Sequence, residues 1–132
     1  MWLVKTEPTE YGFDDLAKAK SARWDGVSNP VALRNLGAMK VGDRVFVYHT
    51  GGEKAVVGVA EVARAAYPDP AGANPKRVVV DLRAVEPLAR PVTLAEMKAR
   101  SEFADSPLVR QGRLSVVPLT AAQSRVIETL GK

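Results

Sequence analysis

Between Arg44 and Leu88 three segments of strand character follow one another, and no helical period separates them. Arg44–His49 alternates, with Val45, Val47 and His49 on one face and Phe46 and Tyr48 on the other. Residues 55–66 read as a long strand in which Gly58 marks a bulge or bend. Residues 77–88 form a third, valine-rich strand. The Thr50–Lys54 connection is short enough for a hairpin, whereas residues 67–75 hold three prolines and a glycine and read as a loop. Long strands with a bulge, closely connected, curl into a small barrel more readily than into a flat sheet. No strict βαβ alternation is present, which argues against a doubly wound fold.

Shorter elements flank this block. Trp2–Lys5 predicts a strand at the start. A helix is expected from Gly12, an acceptable N-cap with Asp14 and Asp15 in the first turn, to about Arg23. Asn29 followed by Pro30 is a second helix start, with Val31, Leu33, Leu36 and Met39 expected on its packed face. Lys40–Asp43 is a turn. Thr93 with Glu96 and Thr120 with Gln123 are capping boxes that predict helices near 94–103 and 121–130. Gly112–Pro118 reads as a turn and a short strand. These 132 residues fit one α+β domain spanning 1–132, a small curved β-barrel with flanking short helices.

Several chemistries are excluded at this level. Cysteine is absent, so disulfides, thiol catalysis and cysteine-ligated metals are excluded. His49 is the one histidine, which rules out a two-histidine metal site; no metal and no cofactor are expected. Gly51-Gly52 lacks the lysine and spacing of a phosphate-binding loop. No apolar run reaches the roughly 18 residues of a membrane span. The N-terminus has no signal-peptide pattern, so a cytoplasmic, monomeric protein is expected. A net charge of +4 permits nucleic-acid binding without demanding it.

The candidate groups are few. Lys5 and Glu7 stand two apart on an extended segment and so project the same way, an arrangement open to acid–base chemistry or to a solvated pair. His49 reads as a core or rim residue. Trp24 sits in the polar stretch Arg23-Trp24-Asp25-Gly26-Val27-Ser28-Asn29-Pro30, read as a loop. An indole there is available to stack on a ligand, and its removal should cost little stability. Asn29 at a helix start offers backbone N–H groups beside that ring, a pairing that suits a base or nucleotide.

The chain resembles the EVE domain family of the PUA-like group, which also includes YTH and ASCH domains. The resemblance is carried in order by Trp2-Leu3-Val4-Lys5-Thr6-Glu7-Pro8, Trp24-Asp25-Gly26-Val27 with Asn29, Met39–Asp43, Tyr48-His49, Val57-Gly58-Val59, Ala66–Asp69, Pro91–Leu94 and Arg110–Val116. Pro30 and Arg77 stand where the family often has aromatic residues. The resemblance implies a PUA-like β-barrel and a pocket that reads a modified base in DNA or RNA. It implies that Lys5, Thr6, Trp24, Val27, Asn29, Tyr48, His49 and Ser115 lie in or near this pocket. Arg110 and Arg113, which flank a turn, are the candidates for phosphate contacts. The expectation is a non-enzymatic nucleic-acid reader. The alternatives are an ASCH-like ribonuclease using Lys5, Glu7 and His49, and a binder of a free nucleoside or small metabolite.

Overall fold

In the computed structural model, which describes residues 1–72, 74 and 76–132, strand β1 (Trp2–Thr6) lies inside a six-stranded sheet. It pairs parallel with β3 (Arg44–His49) and antiparallel with β6 (Val116–Pro118). Next to β3 stand β4 (Ala55–Pro68) and β5 (Val78–Thr93), and β2 (Ser21–Trp24) pairs with β5 at the far edge. The order is therefore β2-β5-β4-β3-β1-β6. Leu3, Val4, Val45, Phe46 and Val47 are fully buried, so the central strands are covered on both faces. This explains why Arg44–His49 alternates in sequence without presenting a wet face.

Register shifts recur along β4, at Val56/Gly58, Val59/Ala60, Val62/Arg64 and Arg64/Tyr67 against β5 and at Val47/Tyr48 between β3 and β4. Such bulges bend and twist a sheet. At one of them stands Gly58, where only glycine fits: a Cβ built there would overlap the ring of Phe13. That ring, 4% exposed, anchors helix α2 (Phe13–Ala19) on the sheet. The expected α+β architecture is present, but the ladder does not close into a barrel. Its edge strands have four and three residues, and Pro118 has no N–H to donate. A curved, open sheet is what remains.

The capping signals act as their residue types require. Helix α3 (Pro30–Ala38) starts at Asn29, whose Oδ1 accepts from the N–H groups of Val31 and Ala32 at 2.9 and 3.1 Å. Both predicted capping boxes form, at α4 (Leu94–Lys98) and at α6 (Ala121–Leu130). Two helix boundaries, two additional short helices and one packed face differ from the sequence reading. Helix α2 stops at Ala19 because Lys20 takes a positive φ of 68°, and Ser21–Trp24 becomes an edge strand. The 94–103 helix breaks after Lys98, and Ser101–Phe103 forms a separate 3₁₀ turn that buries Phe103. Two four-residue helices were not foreseen, α1 (Pro8–Tyr11) and α5 (Pro107–Arg110). On α3, Ala32 is buried where Val31 was expected, and Val31 is 37% exposed. The reading of 67–75 as a loop falls partly on Ala73 and Pro75, outside the described residues, while Tyr67 and Pro68 belong to β4. No helix of the described residues is long and apolar enough to cross a membrane.

Gly58→Ala should destabilise the fold by about 1–3 kcal/mol, the usual cost of overpacking. Chemical denaturation checks this, and a Phe13→Leu change made in the Gly58→Ala background should recover part of the loss by clearing the overlap. Equal stability of Gly58→Ala and the parent would show that α2 is not held in this notch.

Candidate functional site

Strand β1 ends in Lys5-Thr6-Glu7, and each of these side chains engages a different neighbour. The Lys5 ammonium donates to the Gly112 carbonyl at 2.8 Å and lies 5.6 Å from the centre of the Tyr48 ring. Burial pushes its pKa below the ordinary lysine range. The Thr6 hydroxyl donates to the Tyr11 carbonyl at 2.6 Å. The Glu7 carboxylate caps α1 by accepting from the backbone N–H and hydroxyl of Thr9, and it accepts from the Thr50 hydroxyl at 3.2 Å. These donors hold its pKa below the usual carboxylate range, the Thr9 backbone bond first among them.

Three clefts surround this strand end. The first, about 310 Å³, is lined by Thr6, Tyr11, Ala22, Arg23, Trp24 and Asp25. Tyr11 and Trp24 meet edge to face, ring centres 6.2 Å apart and planes at 79°. The Tyr11 hydroxyl is buried and has no hydrogen-bond partner among the described residues. Its burial, followed by the charge of Asp15, raises the Tyr11 pKa. The second cleft, about 320 Å³, has Asn29 and Arg113 on its walls. The third, about 220 Å³, has Lys5, Tyr48, Lys54 and Lys98 on its walls. Gly112 lines both the second and the third.

The expected site residues are thus distributed. Thr6 and Trp24 share one cleft, Asn29 and Arg113 another, Lys5 and Tyr48 a third. Ser115 touches this group through its backbone, its carbonyl accepting from the Lys5 N–H at 2.9 Å. Val27 is half-buried and packs on the core. The Arg110 guanidinium donates to the Ala104 carbonyl and to Asp105, each at 3.1 Å. Arg113 is exposed and makes no ion pair among the described residues. His49 Nε2 accepts from the Phe13 N–H at 3.0 Å, so its proton sits on Nδ1, 2.8 Å from Glu53 Oε1. The imidazole therefore caps α2.

The placement of Trp24 corrects the sequence reading. It stands on β2, not in a loop, and is 7% exposed within the core cluster. Pairing with β5 sets Trp24 opposite Val80, which turns the indole inward. It is at once a core residue and a cleft wall. Tyr11 was missed as a wall residue because its sequence position reads only as a helix start. The available signal was its place five residues after Thr6, close enough for a return to the strand end.

An open, curved six-stranded sheet with short helices, bearing clefts where β1 ends, defines a PUA-like α+β fold. The sequence model of the EVE domain family matches residues 1–130, and the chain belongs to this family. It is 31% identical to human thymocyte nuclear protein 1 over 153 aligned positions, covering 90% of this chain and 68% of that protein. The solution NMR structure of Rpa0253 from Rhodopseudomonas palustris superposes with a TM-score of 0.91 at 44% identity, covering 98% of this chain and 91% of that one. The crystal structure of human THYN1 protein in complex with 5-methylcytosine containing DNA superposes with a TM-score of 0.89 at 29% identity, covering 99% and 96% of the two chains.

Because the indole fills core space, Trp24→Ala is expected to cost about 3–5 kcal/mol of stability, as for other buried aromatic truncations. Trp24→Phe, which keeps a ring in place, should cost clearly less. Urea unfolding of the two variants decides the matter, since a negligible loss in Trp24→Ala would return the residue to a peripheral role.

Proposed function

We propose that this chain is a non-enzymatic nucleic-acid-binding domain that reads a modified base, with the cleft walled by Thr6, Tyr11 and Trp24 as the base pocket. The observation that carries this reading is a cleft on whose wall the Tyr11 and Trp24 rings meet edge to face, Tyr11 keeping a buried hydroxyl without a partner among the described residues. A buried polar group without a partner costs about 1–3 kcal/mol, a deficit that a base edge could relieve. The volume, about 310 Å³, lies at the lower end of the roughly 300–1,000 Å³ range of ligand clefts. The family relationship to a human protein solved with 5-methylcytosine containing DNA supports the same ligand class.

The energetics set what the pocket must do. Extruding a base from a duplex costs a few kcal/mol, and one aromatic contact returns about 1–3 kcal/mol. Burying a single added methyl contributes only about 0.8 kcal/mol, or about fourfold. Larger selectivity needs polar contacts at the base edge, for which the Tyr11 hydroxyl and the side chains of Thr6, Arg23 and Asp25 are the candidates on the cleft wall. Arg113, exposed beside Asn29, is suited to a phosphate; Arg110 would first have to leave Asp105. The non-enzymatic reading is supported by the partners of the three reactive candidates, since Lys5, Glu7 and His49 each hold a structural bond.

Binding of matched DNA and RNA oligonucleotides, with and without 5-methylcytosine, tests this reading. At least a fourfold preference for a modified strand is expected, with no cleavage products. Equal affinity for every matched pair of a panel of modified bases would sink it. Tyr11→Phe should unfold at the same or higher denaturant concentration than the parent yet lose part of the preference. If Tyr11→Phe keeps the full preference, the hydroxyl does not meet the base.

A further inference from the structure

We propose that the cleft between the β3–β4 connection and α4 is a phosphate site held by Lys5, Lys54 and Lys98. This rests on the nucleic-acid reading above and deepens it by assigning the charged half of the interface. Three parts of the chain bring the lysines together. Parallel pairing sets Lys5 beside Tyr48. The β4–β5 ladder pairs Ala55 with Thr93, and the Lys54 carbonyl accepts from the Leu94 N–H at 2.8 Å, which fixes Lys54 to the start of α4. Leu94 and Lys98 are four apart and so share one helix face, and both line the cleft.

The charge in this cleft is uncompensated. No carboxylate lines it, and none of the three lysines makes an ion pair among the described residues. Glu7, whose Oε2 stands beside Gly51, accepts there from Thr50, while its Oε1 takes both Thr9 donors. Lys5 is half-buried with a neutral carbonyl as its acceptor, so part of its hydration is lost without a counter-charge. The Gly51 backbone adds a polar group on the wall of the cleft. A tetrahedral anion with several acceptor oxygens satisfies such a set. Its source is either a backbone phosphate of the bound strand or the phosphate of a free mononucleotide.

Lys54 and Lys98 are exposed, so Lys54→Ala, Lys98→Ala and the double variant should keep the fold. Oligonucleotide binding is measured at several salt concentrations, with Lys54→Arg and Lys98→Arg as charge-preserving controls. A backbone source predicts that each alanine weakens modified and unmodified strands alike. Each should also flatten the log–log salt slope by about one unit, while the arginine variants keep it. In parallel, a nucleoside 5′-monophosphate and inorganic phosphate are titrated by NMR. Amide shifts at Gly51, Gly112 and α4 that vanish in the double variant, with oligonucleotide binding unchanged, identify the free nucleotide as the source. An oligonucleotide slope unaltered in the double variant, together with no phosphate-induced shifts in the parent, overturns the site. A parent protein that binds no oligonucleotide but shows those shifts overturns the nucleic-acid reading and leaves the anion site standing.

Discussion

β1 and β3 run parallel, in register from Trp2 opposite Val45 to Thr6 opposite His49. Two parallel strands cannot be joined by a tight turn; the chain must cross over and return. Residues 7–43 are that crossover, and they contain α1, α2, β2 and α3. Tyr11, Trp24 and Asn29 all lie on it, so the pairing that fixes the middle of the sheet also determines what stands around its end. The crossover is fastened at both ends of β1. The Trp2 indole N–H donates to Asp43 at 3.0 Å, and the same Asp43 oxygen accepts from the Lys40 N–H at 2.9 Å. At the other end Thr6 bonds to Tyr11, and the Thr50 N–H donates to the Thr6 carbonyl at 2.9 Å, extending the ladder beyond β3.

What was legible in the sequence is what local chemistry decides. Asn29-Pro30, Thr93 with Glu96 and Thr120 with Gln123 satisfy backbone N–H groups within their own helices, so no distant residue can overrule them. Gly58 was legible as a bulge, although what demands a glycine there, the Phe13 ring, comes from another element. β2 was illegible because a four-residue edge strand has no period of its own and exists through pairing with β5. β5 itself runs through Pro87 and Pro91, residues that normally end a strand. It continues because the β4 partner is irregular at Gly58, opposite Pro87. Barrel closure was expected from strand length, bulges and the family resemblance, whereas it depends on the two edges, whose shortness no central strand reveals.

The candidate site divides in the same way. Arg110 and Arg113 drew attention as neighbours along the chain, yet Arg110 spends its guanidinium on Ala104 and Asp105. The lysines of the third cleft come from β1, the β3–β4 connection and α4, a set with no common sequence window. Trp24 drew attention as an indole among polar residues, but strand pairing buries the ring that those neighbours made look exposed.

The single histidine shows how far this architecture has committed its reactive groups. A general base needs an available lone pair. His49 Nε2 gives its lone pair to the first N–H of α2, and Nδ1–H faces Glu53. Withdrawing it would leave a helix N-terminus unsatisfied next to Gly12, in the notch where Phe13 meets Gly58. Glu7 is bound in the same sense, because releasing Thr9 would uncap α1, the helix that ends in Tyr11. His49 and Glu7 are therefore each tied to a helix start, α2 in one case and the Tyr11-bearing α1 in the other. What remains for a ligand is a recess walled by Tyr11 and Trp24 and, on the lysine side of β1, positive charge without an ion-pair partner among the described residues. The proposed recognition of a base with its attached phosphate would draw on both, whereas acid–base work by His49 or Glu7 would first have to break a helix cap.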